Sequence, residues 1–82
     1  MIELFVAIVN RSVKDLDHES PLIRTEAMDY FLVEDEEFVS NAKKFGMPYA
    51  WIRWEVEKIV KEEGYRKKKL VENLSKKIRE YA

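Results

Sequence analysis

The chain has 82 residues and a net charge of −1, a length that fits one small domain with a modest core. Hydrophobic residues make up 46% and charged residues 38%, which is typical of a globular domain with a highly charged surface. With no cysteine and one histidine, the chain cannot form disulfides, thiolate metal sites or zinc sites built from histidine pairs. Two glycines and two prolines supply too few turns for an all-β fold.

Several function classes are not expected from these residues. The apolar run Leu4–Val9 is short and follows Glu3, so neither a signal peptide nor a membrane span is predicted. The lack of cysteine makes a reducing cytoplasm the expected compartment. No Ser-His-Asp arrangement, phosphate-binding loop or catalytic carboxylate pair stands out, so we expect neither an enzyme nor a cofactor. We predict no metal site, because His18 lies in an acidic loop and has no second histidine to help it.

The two halves of the chain carry opposite charge. Residues 1–42 contain three basic and ten acidic side chains, whereas residues 43–82 contain twelve basic and six acidic ones. This asymmetry predicts an anionic partner for the second half. The alternatives are that the acidic half folds against the basic half, or that it pairs head to tail with another copy.

Two helices are predicted in the first half. Apolar residues at helical spacing indicate a helix within Ile2–Leu16. The β-branched residues of this segment also suit a strand, but no comparable second strand is present to pair with it. Ser20 followed by Pro21 is a helix start signal, and this second helix is predicted to end near Leu32.

Two more helices surround a central glycine. Asp35 is placed to cap a third helix, which ends at Phe45 because Gly46 follows it. Pro48 is expected to open a fourth helix, and Gly64 to close it.

The third and fourth helices have the spacing of a helix-turn-helix unit over about residues 36–63. Such a unit needs a small residue where its helices cross, and a glycine four positions later in a backbone conformation that is costly for other residues. Ala42 and Gly46 meet both needs, apolar residues flank the glycine, and Ile52 lies six positions beyond it. The position nine beyond the glycine is usually apolar but is Glu55 here. An ordinary helical corner without a ligand is the alternative.

Three stretches carry a wider resemblance. They contain Asn10, Arg11, Asp15 and Leu16; Arg24, Glu26, Ala27, Phe31 and Leu32; and Phe38, Ala42, Gly46, Ile52 and Arg53. Over about residues 5–60 the chain resembles a loose family of small proteins encoded by phages and prophages. Members often have a cysteine where this chain has Asn41. The resemblance implies a helical, DNA-binding-like fold and a location in the host cytoplasm.

A recognition helix after Gly46 presents one face to DNA. At about 100° per residue, the side opposite Ile52 includes Ala50 and Arg53. Arg53 suits a two-pronged guanine contact, unless it pairs with Glu57. Nearby lysines can hold phosphates, as can the run Arg66–Lys69. The predicted interface consists of Lys43, Lys44, Tyr49, Ala50, Arg53, Trp54, Glu57, Lys58 and Lys61.

Trp54 is predicted to be exposed, and Trp51 to lie at the edge of the core. An exposed tryptophan is rarely left without a partner. Trp54 can stack on a base, insert between protomers or cover the C-terminal helix.

The last predicted helix, about residues 65–81, is amphipathic and basic. Its cations surround an apolar stripe with the spacing of a helical seam, formed by Val71, Leu74, Ile78 and Tyr81. The stripe either packs onto its own domain or joins two copies. We expect a homodimer, because a lone helix-turn-helix gains affinity and site length by pairing.

These features predict one all-α domain over residues 1–82, with four to five short helices and a helix-turn-helix core. The expected function is that of a phage-type transcriptional regulator that binds double-stranded DNA. The alternative is a phage protein–protein module without DNA contact. Such a module either inhibits a host factor through its acidic face or takes part in packaging and assembly.

Overall fold

The computed structural model describes residues 2–81, and every regular element in that range is an α-helix. The all-α prediction is confirmed. In chain order the helices are α1 (Ile2–Asp15), α2 (Pro21–Leu32), α3 (Glu36–Phe45), α4 (Tyr49–Val60) and α5 (Gly64–Arg79).

The start of α2 follows the local signal in the sequence. Ser20 occupies the cap position with extended backbone, and its hydroxyl accepts a hydrogen bond from the amide of Ile23 at 3.4 Å. Pro21 takes the first helical position, where its missing amide proton costs nothing. The loop before it is held by Arg24, whose guanidinium donates to the carbonyl of His18 at 2.7 Å. The amide of Ser20 donates to the His18 ring at 3.0 Å, so this histidine orders the loop.

Helices α1 and α4 form the centre of the bundle. Each contacts α2, α3 and α5, whereas within the described residues no extensive contact joins α5 to α2 or α3. The cationic helix α5 therefore covers one side of α1 and α4, and α2 and α3 cover another. No helix within residues 2–81 is long and apolar enough to cross a membrane.

An aromatic cluster joins α1, α2 and α3. Phe31 and Phe38 are fully buried and meet edge to face, with ring centroids 5.0 Å apart. Phe5 of α1 stacks on Phe38 at 6.4 Å, and Tyr30 lies against the same ring at 5.6 Å. Burial, and to a lesser extent the charge of Glu37, raises the pKa of Tyr30 to about 12. Its hydroxyl therefore stays neutral throughout the physiological range.

The apolar stripe of α5 belongs to the core and is not a free dimer seam. Val71, Leu74 and Ile78 are buried because α5 packs along α1 and α4, and Tyr81 is left at the exposed edge. A hydrogen bond from the Ser75 hydroxyl to the side-chain oxygen of Asn10 fixes the rotation of α5 against α1. A homodimer would have to use other surfaces.

The prediction that Gly64 closes α4 is wrong. The helix ends at Val60, and the amides of Lys61 and Glu62 form the short bonds of a tightened last turn. Continuing α4 would place Glu63 at the next core-facing position, one helical turn beyond Ile59, which is unfavourable. Gly64 instead begins α5 with a φ of 61°.

Leu74→Ala tests the position of α5. We expect it to lower the free energy of unfolding by about 2–5 kcal/mol, because the lost methyl groups leave a cavity in the core. Tyr65→Ala, on the same helix and 77% exposed, is the control and should change stability by less than about 0.5 kcal/mol. Urea unfolding at several protein concentrations measures both variants. If the loss for Leu74→Ala depended on concentration, the stripe would join two copies instead.

Candidate nucleic-acid interface

A tight corner at Gly46 joins α3 to α4 through three residues. Gly46 has φ 72° and ψ 24°, the left-handed conformation that favours glycine. The amide of Met47 donates to the carbonyl of Ala42 at 2.8 Å, and the amide of Gly46 donates to the carbonyl of Lys43 at 3.4 Å. These two bonds form a Schellman motif. The chain therefore turns sharply while the last carbonyls of α3 remain hydrogen-bonded.

Both sides of the corner are buried. Ala42 is fully buried and Met47 is 3% exposed, so a small and a flexible side chain fill the space where the helices meet. Beyond the corner, α4 directs Ile52, Val56 and Ile59 into the core. Val56 takes the core position next to Glu55, which is half-buried. Ile52 thus keeps its expected place in the core, and the next core-facing position is shifted by one residue, from 55 to 56.

The opposite side of α4 is exposed to solvent. Ala50, Glu57 and Lys61 are exposed, and 55% of Trp54 is accessible. Ala50 leaves the helix backbone open to close approach by a ligand. Tyr49, at the start of the helix, is half-buried and packs on the core. Of the nine residues predicted to form the interface, most share this side of α4 or the adjoining end of α3.

Arg53 does not point outward as predicted, nor does it pair with Glu57. Its Nε donates to the carbonyl of Phe31 at 3.1 Å, and its guanidinium forms an ion pair with the Asp35 carboxylate at 3.2 Å. Phe31 lies in the last turn of α2, where carbonyls lack helical partners, so a cation there is favourable. Arg53 therefore fastens α4 to the end of α2 and the start of α3.

The prediction that the Asp35 side chain caps α3 is wrong. Asp35 stands at the cap position, but its side chain makes no capping hydrogen bond. Its carboxylate faces Arg53 instead. The two residues are 18 positions apart, so no local spacing in the sequence signals their contact.

Lys43 and Lys44 supply positive charge at the end of α3. Both are exposed, and their ammonium groups lie over the rings of Tyr49 at 5.7 Å and Phe45 at 5.5 Å. Such cation–π contacts are weak at exposed sites, so both charges remain available to an anion.

Lys58 and Trp54 form a close cation–π pair on the outer side of α4. The Lys58 ammonium lies 4.2 Å from the centroid of the indole ring and 3.2 Å from the Glu55 carboxylate. Glu62, one helical turn further along, forms an ion pair with Arg66 at 3.9 Å.

The acidic and basic halves do not neutralise each other through close contacts. Within residues 2–81, Arg53–Asp35 is the one close ion pair that joins them, and it links α4 to the start of α3. Within the same range, no group of three or more acidic or histidine side chains is placed to hold a metal. Comparisons of the chain with models of known protein families, with curated proteins and with solved structures gave no match.

Arg53→Gln tests the fastening of α4. Losing hydrogen bonds that involve a charged group should lower the free energy of unfolding by about 1.5–3 kcal/mol. Combined with Asp35→Asn, the double variant should lose less than the sum of the two single losses, because both substitutions break one interaction. Chemical denaturation measures the three variants, with Arg66→Gln as an exposed control. Strictly additive losses would show that the ion pair contributes nothing.

Proposed function

We propose that the protein is a phage-type DNA-binding regulator in which α3, the corner at Gly46 and α4 act as a helix-turn-helix. In this arrangement α4 lies in the major groove of double-stranded DNA. The observation that carries the proposal is the left-handed corner at Gly46, which buries Ala42 at the crossing and leaves the far side of α4 open.

The outer side of α4 has the chemistry needed to read base edges. Ala50 is small enough to touch a thymine methyl group, and the Glu57 carboxylate can accept a hydrogen bond from the amino group of cytosine. Trp54 presents apolar area beside them. Arg53 is a positioning residue in this proposal, because its guanidinium is already bound by Phe31 and Asp35.

The surrounding cations suit the phosphate backbone. Lys43 and Lys44 lie at the end of α3, and Lys61 at the end of α4, all of them exposed. Phosphate contacts of this kind set the register and orientation of a protein on the duplex, whereas base contacts select the sequence. The bases are therefore read by the middle of α4, and the phosphates are bound by the end of α3 and the end of α4.

A protein-interaction module is the second candidate, and the turn between α2 and α3 favours it. Val33 is 65% exposed there, and the exposed residues Glu34, Glu36 and Glu37 follow it in the chain. An exposed apolar side chain in an acidic turn suits a basic protein partner. In this role the corner is structural and α4 contacts no DNA.

DNA binding is tested by fluorescence anisotropy with a randomised duplex pool at 50 mM salt, followed by selection of a preferred sequence. We expect Trp54→Ala to weaken binding to the selected duplex by about 1–3 kcal/mol. Lys44→Gln should weaken binding to all sequences alike and reduce the salt dependence by about one counterion.

Leu22→Ala is the matched control, because Leu22 is 67% exposed on α2, away from the proposed interface. It should leave binding unchanged. If the protein bound no duplex at 50 mM salt, the regulator proposal would be lost and the protein-interaction module would take its place.

A further inference from the structure

Two lysine–tryptophan pairs lie side by side where α4 meets α5. On α4, the Lys58 ammonium covers Trp54. On α5, the Lys77 ammonium lies 5.1 Å from the ring centroid of Trp51, which belongs to α4. A groove between the two helices is lined by polar and aromatic residues that include Trp51, Glu55, Lys58, Asn73 and Lys77. The exposed side of α4 is therefore continuous with one flank of α5.

The other flank of α5 faces a different helix. Lys76, the neighbour of Lys77 in the chain, lines a depression together with Lys14 of α1. The hydrogen bond between Ser75 and Asn10 holds α5 in this rotation. Adjacent lysines of one helix are thus directed to opposite flanks, and of these two it is Lys77 that borders α4.

We infer that the DNA-binding surface extends from α4 onto this flank of α5, where Lys58 and Lys77 contact phosphates next to the groove that α4 enters. The inference rests on the proposed function and names a second set of phosphate contacts for the same site.

The Lys77 ammonium is available to bind a phosphate. It makes no ion pair with any residue of the described range 2–81, so no carboxylate has to be displaced when a phosphate binds. Its position over an indole ring restricts the side chain, which lowers the entropy lost on binding. Asn73 lines the same groove, and asparagine side chains are common phosphate ligands.

The Lys58 ammonium forms an ion pair with the Glu55 carboxylate at 3.2 Å. This ion pair is partly exposed, and exposed pairs of this kind are weak. A phosphate can therefore replace the carboxylate at little cost, and the Trp54 ring keeps the ammonium in place.

The test compares Lys77→Gln with Lys76→Gln in the full chain, using duplex DNA and the salt dependence of the dissociation constant. The two variants lose the same charge from neighbouring positions. Lys77→Gln should reduce the slope of log K against log salt by about 0.9 and weaken binding about tenfold at 50 mM salt. Lys76→Gln should leave the slope unchanged. Lys58→Gln should behave like Lys77→Gln, and thermal unfolding should show that all three variants remain folded.

Each remaining outcome overturns the inference. Equal losses for Lys76→Gln and Lys77→Gln would mean that total charge matters and position does not. Unchanged binding by Lys77→Gln, together with weaker binding by Trp54→Ala, would confine the interface to α3 and α4 and leave the proposed function intact. A parent protein that binds no duplex would overturn both proposals.

Discussion

The left-handed turn at Gly46 is the constraint on which the rest of the structure depends. It reverses the chain within three residues while the Met47 and Gly46 amides still satisfy the last carbonyls of α3. The reversal places Ala42 and Met47 together in the core and directs Ile52 inward. The outer side of α4 is what remains exposed, so the candidate interface follows from the geometry of one glycine.

Two long-range contacts keep the surrounding helices in place. Arg53 ties α4 to the end of α2 and to Asp35, and the hydrogen bond between Ser75 and Asn10 sets the rotation of α5. A recognition surface needs this support, because a small displacement of a helix moves every side chain that it presents. The cations of α3, α4 and α5 thus lie on a rigid frame, and the acidic turn after α2 adjoins that frame through the ion pair between Asp35 and Arg53.

Local signals in the sequence predict most of the fold. The start of α2 at Ser20 and the end of α3 at Gly46 depend on neighbouring residues alone, so both could be predicted. The end of α4 at Val60 could not be predicted from neighbouring residues, because it depends on whether Glu63, the next core-facing position, would be buried. The partner of Arg53 was missed since Asp35 is distant in the chain and also looks like a helix cap. Periodicity marked the stripe of α5 as apolar but carried no information on what covers it.

The most direct test of the central claim is a titration of the isotope-labelled protein with a selected DNA duplex, followed by nuclear magnetic resonance. If α4 is the recognition helix, the amides of Ala50 and Lys61 and the indole of Trp54 should shift. The amides of Leu22 and Glu26, on the outer side of α2, should remain in place. Shifts confined to the acidic turn around Glu34, or none along α4, would contradict the account.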